Sequence, residues 1–169
     1  MTNTQIALKQ VDLKFYICDM RIIILFLLLP ILTFAQLKGK VVRIADGDTF
    51  TLLDANNNQI RIRLHGIDCP EKGQDCYQVA KDYLGKLVFQ KVVYVENLDT
   101  DRYGRTIGRV WINGVDVNLA LLRNGLAWHY KHYDKFKEYA EAESQARKEK
   151  LNIWSRSDAI APWDYRRKR

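Results

Sequence analysis

The stretch "KVVRIADGDTFTLLDANNNQIRIRL", residues 40–64, decides the fold of this chain. Two β-prone runs at residues 40–44 and 49–53 flank an Asp-Gly pair, which is the signal of a hairpin turn between strands. The asparagine-rich residues 56–59 predict a second turn, and "IRIRL" follows with the apolar–basic alternation of a strand that buries one face. The stretch therefore predicts three strands joined as a meander.

The period of the apolar residues changes after this meander. Between residues 76 and 88 they recur at spacings of three and four, which predicts an amphipathic helix. Two strands, a short helix and a long helix are then predicted at residues 91–97, 105–112, 118–125 and 134–150. Asn118 is suited to cap the start of the short helix, and Gly125 is suited to end it.

This order of elements indicates an α+β chain with a five-stranded barrel and about three helices, which is the OB-fold arrangement. The 169 residues contain no Pro/Gly/Ser-rich linker and no internal repeat, so a single folded domain is expected. A net charge of +7 favours an anionic partner such as nucleic acid or a membrane surface. OB barrels often bind oligonucleotides on one face, which agrees with that charge.

The N-terminal part of the chain reads as a targeting segment. Met20 and Arg21 precede an apolar run over residues 22–34, and Ala35 follows it, so residues 20–35 are predicted to be a signal peptide cleaved near Ala35. Export would make the protein secreted or periplasmic. An uncleaved membrane anchor is the alternative, although the run is shorter than the ~20 residues of a spanning helix and Pro30 interrupts it.

The remaining boundaries follow from this assignment. Residues 1–19 are predicted to be an upstream extension, with Met20 as a possible true start, and residues 36–156 to be the folded domain. The basic residues 157–169 are expected to form a mobile tail. In an oxidising compartment Cys69 and Cys76 could form a small disulfide loop, or both could remain free thiols.

Polar residues that could carry chemistry gather at the predicted strand ends: Asp46, Asp48, Arg63, Asp68, Glu71 and Arg105. Each residue alone also suits an ordinary turn or a solvated surface. As a set they combine carboxylate oxygens, which suit Ca²⁺ or Mg²⁺, with guanidinium groups, which suit phosphate. A cation and two arginines can neutralise the charge that builds up during phosphoryl transfer.

The chain from about residue 40 to residue 155 resembles the staphylococcal nuclease (thermonuclease, micrococcal nuclease) family. The resemblance rests on "IADGDTFTL", "IRLHGIDCPE", "TDRYGR", "VNLALLRNGLA" and "ARKEKLNIWS", which occur in the family's order. It implies an OB barrel with three helices. It also implies Ca²⁺-dependent endonucleolytic hydrolysis of DNA and RNA that leaves 3′-phosphate ends.

The resemblance also implies roles for individual residues. Asp48 and Asp68 would be direct Ca²⁺ ligands together with the backbone carbonyl of Cys69, and Asp46 would be a nearby carboxylate that does not touch the ion. Glu71 would align or deprotonate the attacking water, and Arg63 and Arg105 would bind the scissile phosphate and its transition state.

Three tyrosines are candidate substrate contacts. Tyr103 lies where the family places a nucleotide-contacting tyrosine. Tyr130 and Tyr133 are both candidates to stack on a base, and the sequence does not choose between them. Base preference and the balance between DNA and RNA therefore stay open.

Two rival functions remain at this stage. A barrel of this charge could bind nucleic acid through its backbone without cutting it, as a catalytically inactive OB-fold module. Retention of the apolar N-terminal run would instead give a membrane-tethered nuclease. The expected partners are DNA and RNA substrates; the sequence implies no stable protein partner, and a monomer is expected.

Overall fold

The structure, a computed structural model, describes residues 36–168. The predicted upstream extension and signal peptide, residues 1–35, lie outside the described residues and stay predictions. Within residues 36–168 every helix is too short or too polar to span a membrane.

The described residues form strands and helices in the predicted order. The strands are β1 (Gln36–Asp46), β2 (Thr49–Leu53), β3 (Gln59–Leu64), β4 (Ile67–Asp68), β5 (Val92–Thr100), β6 (Thr106–Ile112), β7 (Val115–Asp116) and β8 (Trp128–His129). The α-helices are α1 (Tyr77–Val88), α2 (Val117–Arg123), α3 (Lys137–Lys148) and α4 (Pro162–Arg167), and a 3₁₀-helix covers Asn152–Ser155.

Five strands close into a barrel. Strands β1, β2 and β3 form the predicted antiparallel meander, β5 pairs with β1, and β6 pairs with β5. A parallel pairing of β3 with β6, in which Ile62 lies opposite Thr106 and Leu64 opposite Gly108, completes the ring. This arrangement confirms the predicted α+β fold of the OB type, with one short helix more than expected.

The barrel interior is filled by the inward side chains of alternating strand positions. These buried residues are Val41, Phe50, Leu52, Ile62, Leu64, Val93, Val95, Val110 and Ile112. Helix α1 covers the barrel with Ala80, Leu84 and Val88, which share one helix face because they are spaced by four residues. Each fully buried aliphatic side chain stabilises the fold by roughly 1.5–3 kcal/mol.

The prediction that Asn118 caps α2 is wrong. Asp116 caps this helix by accepting a hydrogen bond from the Leu119 backbone N–H at 3.0 Å. Asn118 is buried instead, where its amide nitrogen donates to the His65 carbonyl at 2.9 Å and its amide oxygen accepts from the Val110 N–H at 3.1 Å. Asn118 thus ties the end of β3 to β6, the two strands whose pairing closes the barrel.

The long helix α3 begins three residues later than predicted. Asp134, the predicted start, accepts hydrogen bonds from the Phe136 backbone N–H at 2.9 Å and contacts the Nε2 atoms of His129 and His65 at 2.8 and 3.2 Å. Its carboxylate therefore organises the loop before the helix. Both histidines contact this one acid through Nε2, whereas the buried Nδ1 atom of His129 has no hydrogen-bond partner among the described residues.

The C-terminal residues do not form the mobile tail that was expected. Residues 162–167 form helix α4, with Pro162 at its first turn, a position where the missing N–H of proline has no cost. Trp163 stacks on Tyr130, with ring centroids 4.9 Å apart and an interplanar angle of 10°. Beneath this helix, Trp128, Trp154 and Ile153 form a second apolar cluster, so the residues after α3 fold back onto the domain.

Candidate active site

The first acid of the candidate site is fixed by the β1–β2 hairpin. Asp48 is 3% exposed, and its Oδ2 accepts a hydrogen bond from the Cys69 backbone N–H at 2.8 Å. Its Oδ1 accepts from the Thr49 hydroxyl at 3.0 Å. A Cβ atom at Gly47 would lie 2.9 Å from the Cβ of Cys69, so only glycine allows the hairpin to approach this closely.

Arg63 lies between two buried carboxylates. Arg63 lies on β3, opposite Thr49 of β2. Its Nη1 pairs with Asp48 Oδ1, and its Nη2 donates to Asp68 Oδ1 at 2.6 Å. Burial lowers the pKa of Arg63, but the charges of Asp48 and Asp68 outweigh it and raise the pKa above its ordinary value. The guanidinium therefore stays charged and neutralises part of the acid pair.

Asp68 is placed by a tight turn at the end of β3. Gly66 adopts a φ of +70°, which glycine allows at no steric cost, and the chain then runs into β4. The pairing of β4 with β8 holds Asp68 opposite Trp128 and leaves its side chain 0% exposed. In addition to Arg63, Arg166 reaches this carboxylate, with Nη2 2.8 Å from Oδ2 and Nη1 3.3 Å from Oδ1.

Glu71 lies at the solvent edge of the same cluster. Its side chain is 36% exposed, and its Oε1 accepts a hydrogen bond from Arg166 Nη1 at 2.6 Å. Its backbone N–H donates to Gln74 Oε1 at 2.9 Å. The structure thus brings Asp48, Arg63, Asp68 and Glu71 together, as expected from their places at strand ends.

Arg166 was missed by the sequence reasoning. The available signal was "APWDYRR", because a proline followed by an aromatic residue suits a helix start that would order the arginines. Nothing local shows that this helix would reach β4, since Arg166 and Asp68 are 98 residues apart in sequence.

Arg105 stands beside this cluster without touching it. Its Nε donates to Asp101 Oδ2 at 2.6 Å, and its guanidinium carbon lies 5.5 Å from the centre of the Tyr103 ring. Among the hydrogen bonds and ion pairs of residues 36–168, none joins Arg105 to the acids of the cluster. Its backbone nevertheless borders β3, because the next residue, Thr106, pairs with Ile62.

Asp46 is exposed at the end of β1 and lies outside the buried pair. Its Oδ1 accepts a hydrogen bond from the Tyr77 hydroxyl at 3.2 Å. Burial and the charge of Asp46 raise the pKa of Tyr77, so this hydroxyl remains a donor at neutral pH. This position agrees with a carboxylate near the site that does not belong to its centre.

Within residues 36–168 the two cysteines, Cys69 and Cys76, do not form a disulfide, and both are free thiols. Cys69 is buried in the barrel core, whereas Cys76 packs against the separate cluster around Trp128 and Trp154. Burial raises the pKa of the Cys69 thiol well above its ordinary value, and the charge of Asp48 adds to the shift. A protonated thiol is a poor metal ligand, so any metal contact of Cys69 falls to its backbone carbonyl.

The three candidate tyrosines differ in accessibility. Tyr103 and Tyr133 are 64% and 65% exposed, and the Arg102 guanidinium lies 4.9 Å from the Tyr103 ring centre. Tyr130 has one ring face covered by Trp163 and contacts the Tyr133 ring edge-on at 4.9 Å. Tyr133 and Tyr103 therefore expose more ring surface than Tyr130, although Arg102 and Arg105 lie over the Tyr103 ring.

The donor set suits a hard divalent cation. Asp48 and Asp68 present two buried carboxylates on either side of Arg63, and the backbone carbonyl of Cys69 follows directly. Within residues 36–168 no group of three or more His, Cys, Asp or Glu side chains is arranged as a metal site. These residues could offer a divalent cation two carboxylates and one carbonyl, with the remaining positions left to water and substrate.

Comparison with known proteins gives one consistent result. Residues 61–156 match the model of the family described as "Staphylococcal nuclease homologue". "Micrococcal nuclease" of Shigella flexneri is 37% identical over 152 residues, which cover 83% of this chain and 87% of the relative. "Protein ParB" of Escherichia coli is 40% identical over 144 residues, with 79% and 81% covered. An "Uncharacterized endonuclease" of Escherichia coli O157:H7 is 38% identical over 136 residues, with 80% and 88% covered.

Proposed function

The chain belongs to the staphylococcal nuclease family and is an endonuclease that hydrolyses phosphodiester bonds; from this premise we propose that it is a secreted, calcium-dependent enzyme that cuts DNA and RNA to 3′-phosphate ends. The observation that carries the proposal is the position of Arg63 between two buried carboxylates, with Glu71 at the exposed edge.

A pure binding module would not be built in this way. Burying Asp48 and Asp68 costs desolvation energy, and together with Glu71 these acids carry one charge more than Arg63 and Arg166 neutralise, which repels a phosphate backbone. The arrangement becomes useful when a cation bound to these acids attracts the phosphate. This argument favours the enzyme over the catalytically inactive OB-fold module.

The side chains of the site would have separate roles in phosphodiester hydrolysis. Arg63, and Arg105 once it turns from Asp101, would hold the scissile phosphate and the charge that develops on its oxygens. Glu71 would accept a proton from a water that attacks phosphorus, and the P–O5′ bond would break as the 5′ oxygen leaves and takes up a proton. Calcium at Asp48, Asp68 and the Cys69 carbonyl would add positive charge next to the phosphate.

The substrate surface is proposed to extend beyond this centre. Tyr133 and Tyr103 expose ring faces on which a base could stack, since stacking tolerates any base. Without residues 1–35 the net charge is +6, which would attract the nucleic acid backbone. Cleavage near Ala35 would release a monomeric enzyme; N-terminal sequencing of the exported protein distinguishes this from a membrane-anchored form.

Calcium dependence is tested with the purified domain. Addition of millimolar Ca²⁺ is expected to start digestion of single-stranded and duplex DNA and of RNA, and excess chelator is expected to stop it, because two acids next to the phosphate need a counter-charge. Gel assays of substrate length and 3′-end analysis of the products provide the measurement. Full activity in excess chelator would contradict the calcium role.

Arg105→Ala is expected to lower turnover by about 10²–10³-fold, the usual loss for one preorganised group that binds the transition state. Its main contact is the partly exposed Asp101, so the thermal midpoint should change little. Arg102→Ala is the matched control, because Arg102 contacts the same Tyr103 ring and is exposed. Equal cleavage rates for the two variants would show that Arg105 does not bind the scissile phosphate.

A further inference from the structure

The carboxylate of Glu71 is held by the C-terminal helix. Among the described residues, its side-chain hydrogen bond and ion pair both go to Arg166, at 2.6 Å. A glutamate that is 36% exposed would otherwise sample several rotamers in solvent. The orientation of this carboxylate therefore depends on an arginine outside the matched region of residues 61–156.

Arg166 also joins Glu71 to Asp68. Its Nη1 atom lies 2.6 Å from Glu71 Oε1 and 3.3 Å from Asp68 Oδ1, so one donor group bridges two acids. The two negative charges repel each other at this range, and a guanidinium between them removes that repulsion. Without Arg166, the Glu71 side chain would be pushed towards solvent.

A second link fixes the Glu71 backbone to the same segment. The Gln74 side chain accepts from the Glu71 N–H at 2.9 Å through Oε1 and donates to the Ile160 carbonyl at 2.8 Å through Nε2. Gly73 leaves room for the Tyr165 hydroxyl, which would lie 2.7 Å from a Cβ atom at that position. The loop that carries Glu71 and the segment that carries Arg166 thus fit each other at several points.

The helix that carries Arg166 is itself anchored to the domain. Pro162 is buried, and Trp163 stacks on Tyr130, whose backbone N–H donates to the Gly66 carbonyl at 2.8 Å. Gly66 forms the turn that places Asp68. The start of α4 and the turn that places Asp68 are therefore held by the same residue, Tyr130.

We propose that Arg166 is a positioning residue for Glu71 in phosphodiester hydrolysis, held in place by helix α4. This inference rests on the proposed role of Glu71. Arg166 contacts both the water-handling Glu71 and the proposed calcium ligand Asp68, so its effect is measured at saturating calcium, and it leaves substrate binding to Arg63 and the exposed tyrosines. Its loss should lower kcat and leave KM nearly unchanged, because misplacement of a reacting group by about 1 Å costs up to about 10²-fold.

The test compares R166A, R166K and R167A in the full mature chain with calcium and a defined oligonucleotide. R166A is expected to lower kcat by about 10–100-fold with KM changed less than about threefold, and R166K is expected to restore part of the loss. R167A is the matched control, because Arg167 belongs to the same helix, carries the same charge and pairs only weakly, at 3.5 Å, with Asp164. It should cleave at the wild-type rate.

Two further readouts separate positioning from folding. Tens of millimolar guanidinium should partly rescue R166A, whereas an equal concentration of sodium chloride should not, and neither should restore the E71Q/R166A double variant. In a protein that already carries E71Q, R166A should lower kcat little further, because the effects of substitutions at residues that act together are not additive. Circular dichroism and the thermal midpoint verify that each variant is folded.

Several results would overturn the inference. R166A with wild-type kcat, or an equal loss on the E71Q background, would show that Arg166 does not act through Glu71. A faster R166A would show that Arg166 obstructs Asp68 instead. If the wild-type chain cleaved nothing, the proposed function would fail together with this inference, whereas wild-type cleavage with an unchanged R166A would remove the inference alone.

Discussion

Glu71→Gln is expected to lower turnover by about 10²–10⁴-fold, which is the range that a positioned general base contributes. Glutamine keeps the size of the side chain and can still accept a hydrogen bond from Arg166, but it cannot take a proton from water. Because Glu71 is partly exposed, the free energy of unfolding should change little. Steady-state cleavage of a defined oligonucleotide and a thermal melt measure the two effects.

Asp75→Asn is the matched control for this variant. Asp75 is an acid in the same loop, its side chain is 75% exposed, and its ion pair with Arg156 spans 3.2 Å. Loss of this charge changes the net charge by the same amount as Glu71→Gln, so it should leave turnover within about twofold of the wild type. A Glu71→Gln protein that cleaves as fast as Asp75→Asn would exclude Glu71 as the water-handling base.

Arg63→Ala is expected to damage both stability and catalysis. It leaves Asp48 and Asp68 buried side by side without their shared guanidinium, and breaking a buried ion pair in this way costs about 3–5 kcal/mol of unfolding free energy. Turnover should also fall by at least about 10²–10³-fold, because a group that binds the transition state is lost. Urea unfolding and kinetics at a temperature where the variant is folded separate the two effects.

Arg61→Ala controls for this second prediction. Arg61 lies two residues earlier on β3, points to the same side of the strand and is exposed. Its removal should change the free energy of unfolding by no more than about 0.5 kcal/mol. It should slow cleavage only as far as the lower net charge weakens substrate binding. If both arginine variants behaved alike, the buried acid pair would not depend on Arg63, and the site described here would be incorrect.

The strands and the longer helices could be predicted because their signals are local. The alternation in "IRIRL" and the three- and four-residue spacing before Val88 report which face of each element is buried. The grouping of Asp48, Arg63 and Asp68 was also predictable, since all three stand at neighbouring strand ends. The cap of α2 was misassigned because Asn118 and Asp116 are both good capping residues, and only tertiary contacts decide which one caps the helix and which one bonds to the barrel.

The sequence by itself determined the five-stranded barrel, the grouping of Asp48, Arg63, Asp68 and Glu71, and membership of the nuclease family. Only the tertiary structure decided that Arg166 holds Glu71, that Trp163 covers Tyr130, and that Cys69 and Cys76 lie in separate apolar clusters. The physical reason is distance along the chain: Arg166 and Glu71 are 95 residues apart. No local periodicity in the sequence predicts such a contact. The contact forms only when the folded domain brings its C-terminal helix against the loop after β4.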